Sequence, residues 1–283
     1  MMRALESFVN IDRRIMYALL CVIIVGLLIN PVSQPIASTR AVKGAYDAVE
    51  GMPRDKIAIV SVIWSSSTMA ENGTQTEALM RHMFQRGVKF ALIAWDQQGA
   101  KLARDIAWRL SRELKKTYGV DWCDWGYRTP LLDQILPALA KDIPKTIQRD
   151  QAGTDVSKLP MMKNVRTIAD VGLVAEITPS ATVDAWIMFV QGVYHTPIVY
   201  APTLVMVPEG FNYLDARQVV GMLPGLPGAG EYEQMLGSRG FGQKASTALS
   251  GAHLLIVVLI ILGNVGMLAA ARRRRGADRD EAG

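Results

Sequence analysis

Residues 254–271 are apolar apart from Gly263, Asn264 and Gly266, and four arginines, Arg272 to Arg275, follow without a break. Eighteen helical residues at 1.5 Å each reach about 27 Å, close to the thickness of a bilayer's hydrocarbon core. Four consecutive guanidinium groups are costly to carry into hydrocarbon, so an apolar helix stops where they start. Core helices of soluble proteins keep a polar face, which this run lacks. The pattern predicts a transmembrane helix over 253–271 and a basic tail over 272–283.

A second apolar run, 15–29, follows Arg13 and Arg14 and closes at Asn30-Pro31. It is short for a span, and Met16, Tyr17 and snorkelling arginines extend its reach. It reads as an uncleaved anchor over 15–30 behind a tail of residues 1–14. The rival is a secretory signal, which has the same basic-then-apolar order. The small-x-small cleavage pattern is poor, because Ile36-Ala37-Ser38 puts a large residue first. On the outer flanks of the two runs lie Arg3, Arg13, Arg14, Arg272 to Arg275 and Arg279, against Arg40, Lys43, Arg239 and Lys244 on the inner flanks. Eight basic residues against four place both termini in the cytoplasm and the intervening region outside it. The inverted topology, with that region in the cytoplasm, is the alternative.

Composition narrows the chemistry. Half of the 283 residues are hydrophobic and 20% are charged, which fits membrane helices added to an ordinary domain. The net charge of +5 leaves 26 acidic residues against 31 basic ones, giving no case for nucleic-acid binding. Two cysteines, Cys21 in the first run and Cys123, exclude a disulfide framework and a multi-cysteine zinc site. Three histidines leave little for a metal centre. No cofactor is expected.

Residues 45–207 alternate between strand-like and helix-like patterns. The runs 57–64 and 88–95 are continuously apolar, as strands buried on both faces of a parallel sheet must be. Weaker strands are expected over 120–127, 169–177 and 196–201. Helical spacing fills 76–85, 98–118, 129–143 and 182–194. Leu102, Ala103, Ile106, Ala107, Leu110 and Leu114 share one face of the second helix, and Gly119 follows as its stop. About five strands with helices between them predict a doubly wound α/β sandwich. At the level of fold this resembles flavodoxin-like, Rossmann-like and periplasmic-binding-like domains. Residues 148–166 read as a long loop. The Gly- and Pro-rich stretch 208–252 reads as a connector near the membrane. Within it, residues 224–237 carry enough apolar side chains to pack rather than hang free.

Open parallel sheets bind ligands beyond the carboxyl ends of their strands. That rule selects Ser65, Ser66 and Ser67 after the first strand, with Asn72-Gly73-Thr74 opening the next helix. It selects Asp96 and Gln97 after the second and Tyr127 and Arg128 after the third. Thr178, Ser180 and Thr203 follow the later strands. Together they form a polar rim with one fixed positive charge, although strand-to-helix loops are polar in any case.

Catalysis would need a base beside the serines. His195 falls before the fifth strand, at the other edge of the sheet, and His82 falls inside a helix. No Gly-x-Ser-x-Gly elbow occurs. The Gly240-x-Gly-x-x-Ala245 spacing matches a dinucleotide motif loosely, but no strand precedes it. Glu231 and Glu233, two apart, point to different sides of a helix. Asn264, flanked by Gly263 and Gly266, suits contact with another membrane helix and makes these residues the expected interface of a homo-oligomer. The expected protein is a two-pass membrane protein with an extracytoplasmic ligand- or partner-binding domain. A membrane-tethered hydrolase using Ser65 to Ser67 is the alternative.

Overall fold

The apolar runs fold as strands buried on both faces. In the computed structural model, which describes residues 12–30, 38–129, 131–238 and 240–280, six strands form one sheet. They are β1 (Ile57–Val62), β2 (Lys89–Ala94), β3 (Trp122–Tyr127), β4 (Val171–Thr178), β5 (Ile198–Pro202) and β6 (Gly221–Met222). Every pairing is parallel and the order is β3-β2-β1-β4-β5-β6. All six residues of β1 are buried, as a parallel sheet covered on both sides requires.

Alternate residues supply two cores. Ile57, Ile59, Ile93, Trp95, Trp125, Val174, Ile198 and Tyr200 face one side. They meet α5 (Leu132–Lys141), α6 (Ile143–Ile147) and a helix running from α7 (Val183–Trp186) through a π turn (Ile187–Gln191) to α8 (Gly192–Tyr194). Ala58, Val60, Phe90, Leu92, Leu173, Ala175, Val199 and Ala201 face the other side. There they meet α2 (Arg40–Glu50), α3 (Thr74–Arg86), α4 (Gln97–Glu113) and α10 (Gly225–Met235). The expected α/β sandwich is therefore present, with helices on both faces of the sheet.

Three expectations change. The second sandwich helix stops at Glu113 rather than near Tyr118, because Lys115 turns to φ +55 and the Lys116 amide donates to Ser111 O at 2.8 Å. Residues 148–166 are not a plain loop. The Arg128 guanidinium holds their start by donating to Ile147 O at 3.1 Å and Arg149 O at 3.0 Å, and two 3-10 turns follow. Residues 208–252 are not merely a connector, because they contain the sixth strand and α10, with α9 (Val207–Asp215) overlapping their start. Glycine there serves close packing rather than freedom. A Cβ on Gly221 would overlap the backbone of Gly44 and Ala45 in α2, and one on Gly228 would overlap Pro224.

Residues Ile36–Gln243 form one compact unit and Met1–Pro35 with Lys244–Gly283 form another. In the second unit, α1 (Arg13–Ile29) starts at Asp12, whose carboxylate accepts the Arg14 amide at 2.9 Å. Its 17 residues reach about 26 Å, at the lower limit of a span, and a first span is not supported. The 40-residue α11 (Phe241–Asp280) is, among the described residues, the one helix long and apolar enough to cross a membrane, over Phe241–Leu268. Ile23 and Leu27 of α1 lie over Gly251 of α11.

The β6 edge rests on backbone meeting backbone, which cannot yield as a flexible side chain can. Gly221→Ala should therefore destabilise the α/β unit by about 1–3 kcal/mol, the usual cost of overpacking. Denaturant unfolding in mild detergent reads this directly. An unchanged midpoint would show that α2 moves away from β6 freely.

Candidate functional site

The strand order places β1 and β4 side by side at the centre. From β1 the chain continues to β2 on one side, and from β4 to β5 on the other. The loops leaving these strands therefore diverge at their carboxyl ends, the switch point where doubly wound sheets place a ligand crevice. Both loops enter helices that contain a π turn, Met69–Gly73 after β1 and Ile187–Gln191 after β4. Such turns are rare and recur at functional sites.

Local chemistry explains the first π turn. Thr74 Oγ1 donates to Ala70 O at 2.7 Å and Thr76 Oγ1 to Asn72 O at 2.6 Å, both competing with the helix's own ladder. Asn72 Nδ2 donates to Gln75 Oε1 at 2.8 Å and to Ala201 O at 3.3 Å. Gln75 Nε2 reaches Pro202 O and Leu223 O, each at 2.7 Å. The Asn72–Gln75 segment thus ties the β1 loop to the ends of β5 and β6.

The residues expected at the rim do lie at the carboxyl ends of β1, β2 and β3, but they are not all joined. Ser65 Oγ and Ser67 Oγ are 2.9 Å apart. Ser66 gives its amide and its hydroxyl to Gln98 Oε1, at 3.0 and 3.2 Å. Asp96 caps α4 by accepting the Gly99 amide at 2.7 Å, and Gln97 is exposed. Tyr127 is half-buried against the core shared by α3 and α4. Arg128, the rim's fixed charge, turns to the Ile147 and Arg149 carbonyls instead, and burial lowers its pKa. The Ser66 amide is not left open for an anion, and Arg128 spends Nη2 on those two carbonyls while its Nε is buried without a hydrogen bond.

On the other bank of the crevice stands a residue that the sequence reading passed over as part of a strand. Glu176, the penultimate but one residue of β4, is wholly buried and pairs in register with Ser61 of β1 and Tyr200 of β5. Its Oε1 accepts from Thr182 Oγ1 at 2.6 Å. Thr182 Oγ1 lies 3.0 Å from Thr178 Oγ1, which lies 2.9 Å from Ser180 Oγ. This row of hydroxyls leads from a buried carboxyl to the half-buried Ser180 at the rim. Glu176 Oε2, Trp186 Nε1 and the Tyr200 hydroxyl are buried without a hydrogen bond. Burial raises the Glu176 pKa to about 7, while Ser61, Thr182 and Trp186 favour the ionised form. Trp95 Nε1 donates to Ser61 Oγ at 2.9 Å and closes the cluster from β2. A carboxyl so placed can exchange a proton with the rim through reorienting hydroxyls. The signal for it was one acid in an otherwise apolar strand.

His82 and His195 make no hydrogen bond to the serines. His82 is buried on the opposite face, between Tyr232 OH at 2.6 Å and Glu50 Oε1 at 3.0 Å, and burial lowers its pKa. His195 precedes β5 and has φ +57. Cys123 is buried inside β3, and burial raises its pKa well above the ordinary thiol value. Among the described residues no cluster of three metal-ligating side chains occurs. In α11, Asn264 is exposed, Gly263 has no neighbour within 4 Å where a Cβ would stand, and Gly266 is buried. Comparison with protein-family models, curated proteins and solved structures finds no match.

Glu176 sets a pH dependence. Its folded pKa is raised, so its contribution to stability is full below about pH 4.5 and is lost as pH rises through about 7. Glu176→Gln mimics the protonated form and removes that loss. Between pH 6 and 8 the variant should gain about 1 kcal/mol on the wild type. Unfolding curves that stay parallel across this range would remove Glu176 as the titrating group.

Proposed function

We propose that this is a membrane-anchored protein whose α/β unit binds a ligand or partner at the crevice between β1 and β4, as a non-enzymatic component of a membrane complex. The observation that carries this reading is the switch-point cluster. Two banks of hydroxyls, Ser65 to Ser67 and Thr178 with Ser180, flank a buried carboxyl and the buried Tyr200 hydroxyl, which makes no hydrogen bond in the fold. Buried polar atoms are costly to leave unpaired, and sites kept for recognition are a common reason for them. The Rossmann-like strand order puts this cluster where doubly wound sheets bind ligands.

The same geometry favours binding over the hydrolase alternative. The hydrogen bonds made by Ser65, Ser66 and Ser67 go to one another and to Gln98. A serine with no base beside it is a weak nucleophile. Co-purification from membranes in mild detergent tests the reading. Ser180→Arg should fill the crevice and lose the bound component while thermal stability holds. Retention of every component by the variant would move the site elsewhere. Fluorophosphonate labelling that disappears in Ser66→Ala would favour the hydrolase. The same preparation reports self-association. Asn264 is exposed on an apolar helix, and a second copy presenting its own Asn264 at equal depth would satisfy it. Asn264→Leu with Gly263→Ile should then lower the oligomer's mass, and an unchanged mass would remove this face from the interface.

The proposed topology has α1 as a first span, both termini in the cytoplasm and the α/β unit outside. The excess of basic residues on the outer flanks of the two apolar runs over their inner flanks supports it. Reporter fusions at Gly283 and near Gly153 should read cytoplasmic and extracytoplasmic respectively. Cytoplasmic activity at Gly153 would invert the orientation.

A further inference from the structure

α10 carries three consecutive buried side chains, Glu231, Tyr232 and Glu233, and each bonds to a different element. Glu231 accepts the backbone amide of Thr39, and also its hydroxyl at 3.2 Å. Thr39 is the N-cap of α2, and its own Oγ1 accepts the Val42 amide at 3.4 Å. Glu233 accepts the amides of Gly242 at 3.3 Å and Gln243 at 2.8 Å, in the first turn of α11. Tyr232, between them, bonds His82 of α3.

Helices leave their first amides unpaired and present a partial positive charge there, so a carboxylate is a suitable partner. Three glycines make this approach possible. A Cβ on Gly240 would overlap the Glu233 carboxylate. A Cβ on Gly230 would lie 2.8 Å from Gly242 O, and one on Gly242 would lie 2.9 Å from Gly230 N. Both carboxyls are kept despite burial, which raises their pKa values, Glu233 to about 7. Glu77 adds to the rise at Glu233 and Arg81 opposes it, both from α3.

We propose that α10 is a double clasp, in which Glu231 holds the start of α2 and Glu233 holds the start of α11, fixing both places where the chain enters and leaves the α/β unit. The two grips are independent, because the carboxylates leave opposite sides of the helix. Movement arriving along either chain connection is delivered to α10. Gln75, bonded to Leu223 O at 2.7 Å and Gly225 O at 3.3 Å, ties α10's first turn to the β1 loop. The clasp rests on these hydrogen bonds and holds whatever the crevice binds.

Hydrogen exchange on the full chain in phosphatidylcholine nanodiscs tests it. Glu233→Ala should speed exchange of the Gly242 and Gln243 amides at least tenfold, leaving residues 39–42 and strands β1 and β4 unchanged. Glu231→Ala should do the reverse, freeing the Thr39 amide alone. Glu233→Gln, which keeps an acceptor oxygen, should retain most protection. Gly242→Ala wedges the helix start from α10 with milder loss of packing. It should loosen the same two amides and serves if Glu233→Ala does not fold. Faster exchange throughout β1 and β4, or unchanged exchange at both junctions, would overturn the proposal.

Discussion

The pairing of β1 with β4 joins two runs of chain that have no other reason to meet. Ile57 to Val62 lie against Val171 to Ile177, more than a hundred residues later, and both strands are buried on both faces. Parallel strands cannot be joined by a tight turn, so each must be followed by a crossover. With β2 and β3 on one side and β5 and β6 on the other, the crossovers cover both faces and leave the carboxyl ends of the central pair open. The same pairing sets Ser61 beside Glu176 and so builds the cluster beneath the crevice.

Buried polar groups divide this unit into regions of different purpose. Gln75 Nε2 donates to backbone carbonyls at the ends of β5 and β6, and Asn72 Nδ2 is shared between Gln75 Oε1 and Ala201 O, which is structural work. His82 is likewise consumed between Glu50 and Tyr232, with Tyr46 stacked on its ring at 4.5 Å. Glu231 and Glu233 are spent on helix starts. Glu176 differs: one oxygen accepts from Thr182 at 2.6 Å, and the other is buried without a well-formed hydrogen bond. A burial cost without full compensation is what separates this carboxyl from the other buried ones.

The edges of the sheet show how composition misleads. Thirteen prolines and 24 glycines are spread along the chain, and a stretch dense in both looks like a linker. Here Gly221 of β6 stands against the backbone of α2, Gly230 against the first turn of α11, and Gly228 against Pro224, which precedes the first turn of α10. Absence of a side chain serves flexibility in one setting and contact in another, and only the neighbour decides which. The expected packing of residues 224–237 could be read because apolar side chains accompany those glycines.

The strands β1 and β2, the helices between them and the apolar stretch of α11 were legible locally, because continuous apolar runs and helical spacing are properties of neighbours in the chain. The rim at Ser65 to Ser67, Asp96, Gln97, Tyr127 and Arg128 was legible as a set of positions, since strand ends can be counted. Its bonding was not: Arg128 turned toward carbonyls about 20 residues on, and Ser66 toward Gln98. Glu176 read as one polar letter in a strand, and Glu231 with Glu233 as an unpaired doublet. Their meaning lies in Ser61, Thr182, Thr39 and Gly242, brought to them by the fold. The sequence by itself determined the alternating α/β class and one helix apolar enough for a bilayer, because burial pattern follows from local periodicity. Strand order, the sixth strand, the buried carboxyl cluster and the clasp on two helix starts were decided only by tertiary structure, because each depends on which distant backbone or side chain completes a hydrogen bond.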